Sequence, residues 1–123
     1  MLTNIVAVFI GGGLGSLARF GISMFMLNYY RMIFPLATLL SNVLSCIVLG
    51  LTIFLLREKI NAEMSLWFLI ITGFCGGFST FSAFSYETVE LMKSGNILYA
   101  LLNVMVSLSL CMGIIYFLTR SNA

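Results

Sequence analysis

The stretch Met64-Ser65-Leu66-Trp67-Phe68-Leu69-Ile70-Ile71-Thr72-Gly73-Phe74-Cys75-Gly76-Gly77-Phe78-Ser79-Thr80-Phe81-Ser82-Ala83-Phe84-Ser85-Tyr86 runs for 23 residues without a charged side chain. A helix rising ~1.5 Å per residue crosses the ~30 Å hydrocarbon layer in that length. Its middle is not ordinary helix sequence. Gly73, Gly76 and Gly77 stand next to Ser79 and Thr80, and each glycine costs a helix interior ~1 kcal/mol relative to alanine. Two readings follow. The helix breaks at mid-membrane, which is tolerated only where the backbone is buried in protein or lines a wet cavity, and which frees carbonyl oxygens for a cation. Alternatively the glycines serve close helix packing.

Working outward, two more windows lack charge, Met32 to Leu56 and Ser94 to Thr119, and the chain is also uncharged from Met1 to Ala18. The whole sequence is 61% hydrophobic and 8% charged, with six Lys or Arg, four acidic residues and no His; a soluble domain carries ~25% charge. The expected fold is therefore an all-α integral membrane protein, one domain over 1–123. Its spans are placed at 3–29, 35–56, 65–92 and 97–119, with connections at Tyr30–Phe34, Arg57–Met64 and Lys93–Asn96. Pro35 suits the first turn of the second span, where its missing N–H costs nothing. Residues 1–10 lack a basic leader region, so the first segment is expected to be a retained helix.

A net charge of +2 is too small to imply nucleic acid. Four spans put Arg57, Lys59 and Arg120 on one side, against Arg31 and Lys93 on the other, with Arg19 leaning toward the second. The positive-inside rule barely chooses between orientations, which permits insertion both ways up. Cys46, Cys75 and Cys111 lie in separate spans with no metal-ligand spacing, and read as small packing residues.

The polar residues inside the spans fall in columns. Thr38, Asn42 and Cys46 recur every fourth residue, with Ser41 and Ser45 beside them, and Asn103, Ser107 and Cys111 repeat that spacing. Residues four apart share a helical face. Interhelical hydrogen bonding at ~0.6 kcal/mol each explains one such column; two columns and a hydroxyl-rich third span also fit a polar pathway. Uncharged donors suit an anion that must shed water and still leave. Phe78, Phe81 and Phe84 form either a packing stripe or a set of ring edges, whose positive rim can stabilise an anion. Arg19 and Glu87 are the ionisable groups placed within the membrane, a functional signal by default. Arg19 follows the small-residue run Gly11–Ser16, so a structural contact is as good a reading, and Glu87 falls near a vestibule. With no His, no Asp and no Cys–base pairing, nothing catalytic is visible.

Three segments together, Gly11–Phe20, Thr38–Asn42 and Gly73–Ser85, resemble the bacterial fluoride channels of the Fluc (CrcB) family over nearly the whole chain. The resemblance implies a fluoride-selective channel in the bacterial plasma membrane that exports fluoride passively. It further implies an antiparallel, dual-topology homodimer with two pores and a central structural sodium ion. It makes Asn42, Phe81 and Phe84 pore residues, with hydroxyls from Thr38, Ser82 and Ser107 along the path. The sodium ligands would be the backbone carbonyls of Gly76 and Ser79, and Arg19 closes the first motif. This chain departs from the family at Ala37 and Cys46, where glycine is usual, at Ser41, where valine is usual, and at Asn103, where an aromatic is more common. Those departures bear on the packing of the second span and on pore width. The rivals are a small four-helix multidrug exporter and a purely structural membrane subunit. The exporter needs a carboxylate in the first span, and residues 1–57 contain no acid.

Overall fold

A computed structural model describes residues 1–29 and 33–120. Arg31 and most of the Tyr30–Phe34 connection lie outside the described residues. Among those described, every regular element is helical. The first span is α1 (Leu2–Tyr29) and the second α2 (Leu36–Ala62). The third span is composite: α3 (Met64–Trp67), a π-helical segment (Phe68–Cys75), α4 (Gly76–Phe78) and α5 (Phe81–Lys93). The fourth is α6 (Ile97–Thr119). The four spans measure 28, 27, 30 and 23 residues and are apolar enough to cross a membrane.

α6 has the expected boundaries, because Ser94-Gly95-Asn96 turns the chain with Gly95 at φ 87°. That left-handed value favours glycine. α2 differs from expectation. Instead of ending at Leu56, it kinks there (φ −118°, ψ 21°) and continues through the charged residues to Ala62. The expected loop Arg57–Met64 is thus mostly helix, since Arg, Glu and Lys are good helix formers and leaving the apolar layer does not end a helix. Pro35 sits one position before the helix as its N-cap residue (φ −78°, ψ 73°), still where no N–H is needed.

α1 packs along the first half of the third span, while α2 and α5 both pack on α6. Glycines set the first contact. A Cβ on Gly11 would strike the Leu69 carbonyl, and one on Gly15 the Phe74 carbonyl. From the other side, a Cβ on Gly77 would lie 2.5 Å from the Gly12 carbonyl, and one on Gly73 3.0 Å from the Gly11 Cα. Two pairs of glycines, each four residues apart, therefore bring the backbones together as small-residue pairs do in membranes.

Candidate functional site

The break and the packing are both present, at adjacent places. Gly76 is helical (φ −64°, ψ −36°), and the helix stops two residues beyond the glycine pair, where Ser79 (φ −84°, ψ 159°) and Thr80 (φ −151°, ψ 119°) are extended. The wide-wound Phe68–Cys75 segment precedes it; such π segments recur at functional sites.

Side chains from two other spans hold the break open. Asn42 Oδ1 accepts the Thr80 N–H at 2.8 Å, and Asn42 Nδ2 donates to the Thr80 carbonyl at 3.4 Å. One primary amide thus binds both backbone groups of one residue. Arg19 Nε donates to the Gly77 carbonyl at 3.1 Å, placing a cation at the carboxyl end of α4, where the helix dipole favours it. Thr80 then caps α5, its hydroxyl accepting the Ala83 N–H at 3.1 Å, as N-cap threonines do.

These bonds redirect the helical ladder. The Thr80 N–H that would have closed on the Gly76 carbonyl goes to Asn42, and the Ala83 N–H that would have closed on the Ser79 carbonyl goes to Thr80 Oγ1. The Gly76 and Ser79 carbonyls are left without their helical donors, and Gly76 is exposed on the surface of the chain. Carbonyl oxygens are suitable ligands for a hard cation. The expected sodium donors therefore fit the ion chemically.

Beside the break lies a cleft of about 210 Å³ lined by Asn42, Cys46, Ser79, Thr80, Phe81, Phe84, Ser107, Leu108 and Cys111. No lining residue carries a formal charge. Phe84 is buried at 8% exposure, whereas Phe81 is 76% exposed; their ring centroids are 5.8 Å apart and tilted by 41°. The amino end of α5 borders the cleft and contributes the positive end of its dipole.

Both polar columns contribute, Asn42 and Cys46 from α2, Ser107 and Cys111 from α6. Their other members are engaged elsewhere. Thr38 does not line this cleft; its hydroxyl donates to Glu87 Oε2 at 2.9 Å, and Glu87 Oε1 is buried with no partner among the described residues. Glu87 also borders a separate hollow with Phe34, Pro35 and Glu90, which suits the expected vestibule. Ser82 is exposed, 3.3 Å from the Thr80 hydroxyl. Ser45 and Cys75 bond each other reciprocally, Ser45 Oγ donating to the Cys75 carbonyl at 3.0 Å and Cys75 Sγ to the Ser45 carbonyl at 3.6 Å. Asn103, 1% exposed, donates to Thr88 Oγ1 at 2.9 Å and accepts from Ser107 at 3.3 Å. Ser41 is fully buried, and its hydroxyl has no partner among the described residues.

The bracing of Thr80 by Asn42 and the pairing of Thr88 with Asn103 join different helices, and no local spacing signals them. Cys46 and Cys111, expected as packing residues, line the cleft, in keeping with their place in the two polar columns.

Residues 6–118 match the family described as CrcB-like protein, Camphor Resistance (CrcB). The chain is 37% identical over 109 residues to the fluoride-specific ion channel FluC of Coxiella burnetii (strain CbuK_Q154), covering 88% of each. It is 43% identical to that of Serratia proteamaculans (strain 568), over 89% of this chain and 85% of the relative. It is 44% identical to that of Escherichia fergusonii, over 88% and 84%.

Proposed function

This chain belongs to the family of CrcB-like proteins, and from that premise we infer that it is a fluoride-selective channel, a multi-pass bacterial membrane protein and not an enzyme. The observation that carries the reading is the uncharged polar cleft at the amino end of α5, beside the break in the third span. A small anion there meets donors without a fixed positive charge to trap it. Asn42 keeps a second amide N–H beyond the one given to Thr80, Ser107 adds a hydroxyl, and Phe81 and Phe84 offer positive ring edges. Passage is passive. Outside acid favours entry of neutral HF, which ionises inside, and the membrane potential drives the anion out. The purified chain in liposomes loaded with potassium fluoride should release fluoride to an electrode once valinomycin collapses the potential, and should release chloride far more slowly. No release above protein-free liposomes would sink the reading.

The working unit is a homodimer of two copies inserted in opposite orientations. Support comes from surfaces that one chain leaves uncovered: Phe81, one half of the ring pair, and Gly76, at the break, are both exposed. A second copy against this face shields both and seals the cleft from lipid. The carbonyls of Gly76 and Ser79 from each copy would hold a sodium ion between the two breaks, whose charge offsets their converging oxygens. Exhaustive transfer to choline buffer should lower the dimer's melting temperature, and sodium should restore it. An unchanged melting curve in sodium-free buffer, with sodium absent by elemental analysis, argues against the ion.

A further inference from the structure

Two of the three cysteines meet in the anion cleft. Cys46 comes from α2 and Cys111 from α6; both line the cavity that holds Asn42, Phe84 and Ser107. Both are free and half-buried, and they reach the same cleft from two helices that pack on each other. Cys75 is different. It is buried and does not line the cleft, and its thiol donates to the Ser45 carbonyl. The group facing the cleft is therefore a pair.

Paired thiols select soft cations and discriminate against sodium, potassium and magnesium, which prefer oxygen. Two sulfurs without a third ligand suit the d¹⁰ monovalent ions, copper(I) and silver(I), which accept linear two-coordination. The cavity of about 210 Å³ that both cysteines line has room for such an ion. Leu108, Phe81 and Phe84 line the same space and add no oxygen or nitrogen ligand of their own.

We propose that Cys46 and Cys111 form a soft-metal site, and that a copper(I)-class ion bound there closes the anion path. Two thiols and one monovalent cation give a bis-thiolate complex and two released protons. The complex carries one net negative charge. The amino end of α5 and the Asn42 amide, which favour fluoride in the open cleft, favour this fixed anion instead. A fixed negative charge in a narrow anion path repels the permeating ion. The binding part stands on the placement of both cysteines in one cleft; the closure part rests on the channel reading above.

Silver(I) is the probe, added as the nitrate in chloride-free buffer so that it stays dissolved beside fluoride. Titration of the purified, intact protein should raise a sulfur-to-silver ultraviolet band that saturates at one silver per chain. In liposomes, one equivalent should slow fluoride efflux at least tenfold, and excess dithiothreitol should reverse it. Cys46→Ala and Cys111→Ala should each weaken silver binding at least tenfold, and any efflux they retain should no longer respond to one equivalent. Cys75→Ala should bind and respond like the parent. The site is refuted if band and block survive in both Cys46→Ala and Cys111→Ala, or if Cys75→Ala abolishes the band equally. Stoichiometric binding with unaltered efflux overturns closure. A parent protein with no fluoride efflux at all would instead refute the channel reading, and the titration would still decide the site.

Discussion

Asn42 bonds to Thr80 with both ends of one amide, so its substitutions separate bracing from ion contact. In Asn42→Asp the carboxylate still accepts the Thr80 N–H, and the hydrogen bond to the Thr80 carbonyl becomes oxygen facing oxygen. The same change puts negative charge beside the anion path. Fluoride efflux should fall at least tenfold, with a stability loss of about 1–3 kcal/mol from the mispaired group. A flux assay paired with a thermal melt reads both, and wild-type flux would remove Asn42 from the path. The two rings are tested differently, because Phe84 is buried and Phe81 is exposed in one chain. Phe81→Ile and Phe84→Ile keep apolar bulk and lose the positive ring edge. Each should cut efflux sharply, while only Phe84→Ile should cost about 1–3 kcal/mol of chain stability by leaving a cavity. Equal flux in both mutants would make the rings core packing. Much of this site was legible in the residues. The columns through Asn42 and Ser107 meet in one cleft, the pathway reading of two faces that four-residue spacing defined separately on each helix. Thr38 was harder to place: its spacing matches Asn42, but its hydroxyl belongs to Glu87, a residue on another helix that no local period reveals.

Among the elements, the third span carries the information that spacing alone could not resolve. The glycine pair marked the right region, yet the helix ends two residues later. Gly77 is held in the helix because α1 lies against it, and the break falls where Asn42 captures Thr80. Both determinants are long-range partners. α2 shows the converse: charge ended the apolar window at Leu56, and the helix only kinked there. The close approach of α1 predicts a graded response to added methyl groups. Gly77→Ala puts a Cβ 2.5 Å from the Gly12 carbonyl, where neither backbone can yield cheaply, and it also disturbs the acceptor of Arg19. Gly113→Ala meets nothing within 4 Å and gains helix propensity of up to about 1 kcal/mol. Gly77→Ala should abolish recovery of folded protein on gel filtration and fluoride flux together, and Gly113→Ala should leave both intact. Similar behaviour of the two would show that the glycine contact does not set the packing. Gly76→Ala is more discriminating: within one chain its Cβ has room, with the Ile71 carbonyl 4.0 Å away. A defect there would report what covers Gly76 from outside the chain.

At the scale of the whole molecule, Lys93 stands at the exposed end of the third span, paired only loosely with Glu90 at 3.8 Å. If the chain inserts both ways up, a membrane-impermeant maleimide applied to intact cells should label roughly half of Lys93→Cys molecules, a near-even split consistent with the balance of basic residues. All-or-none labelling would rule out opposite insertion. The braces around the break have a further consequence, for biosynthesis. A third span alone would carry bare amides and carbonyls into lipid, where each unsatisfied group costs several kcal/mol. Arg19 and Asn42, which satisfy them at Gly77 and Thr80, both precede the break in the chain. The ribosome therefore delivers the splints before the joint, so that both are already made when the third span is inserted. A circular permutant that translates the third span first, with the same contacts available in its finished state, should insert in far lower yield.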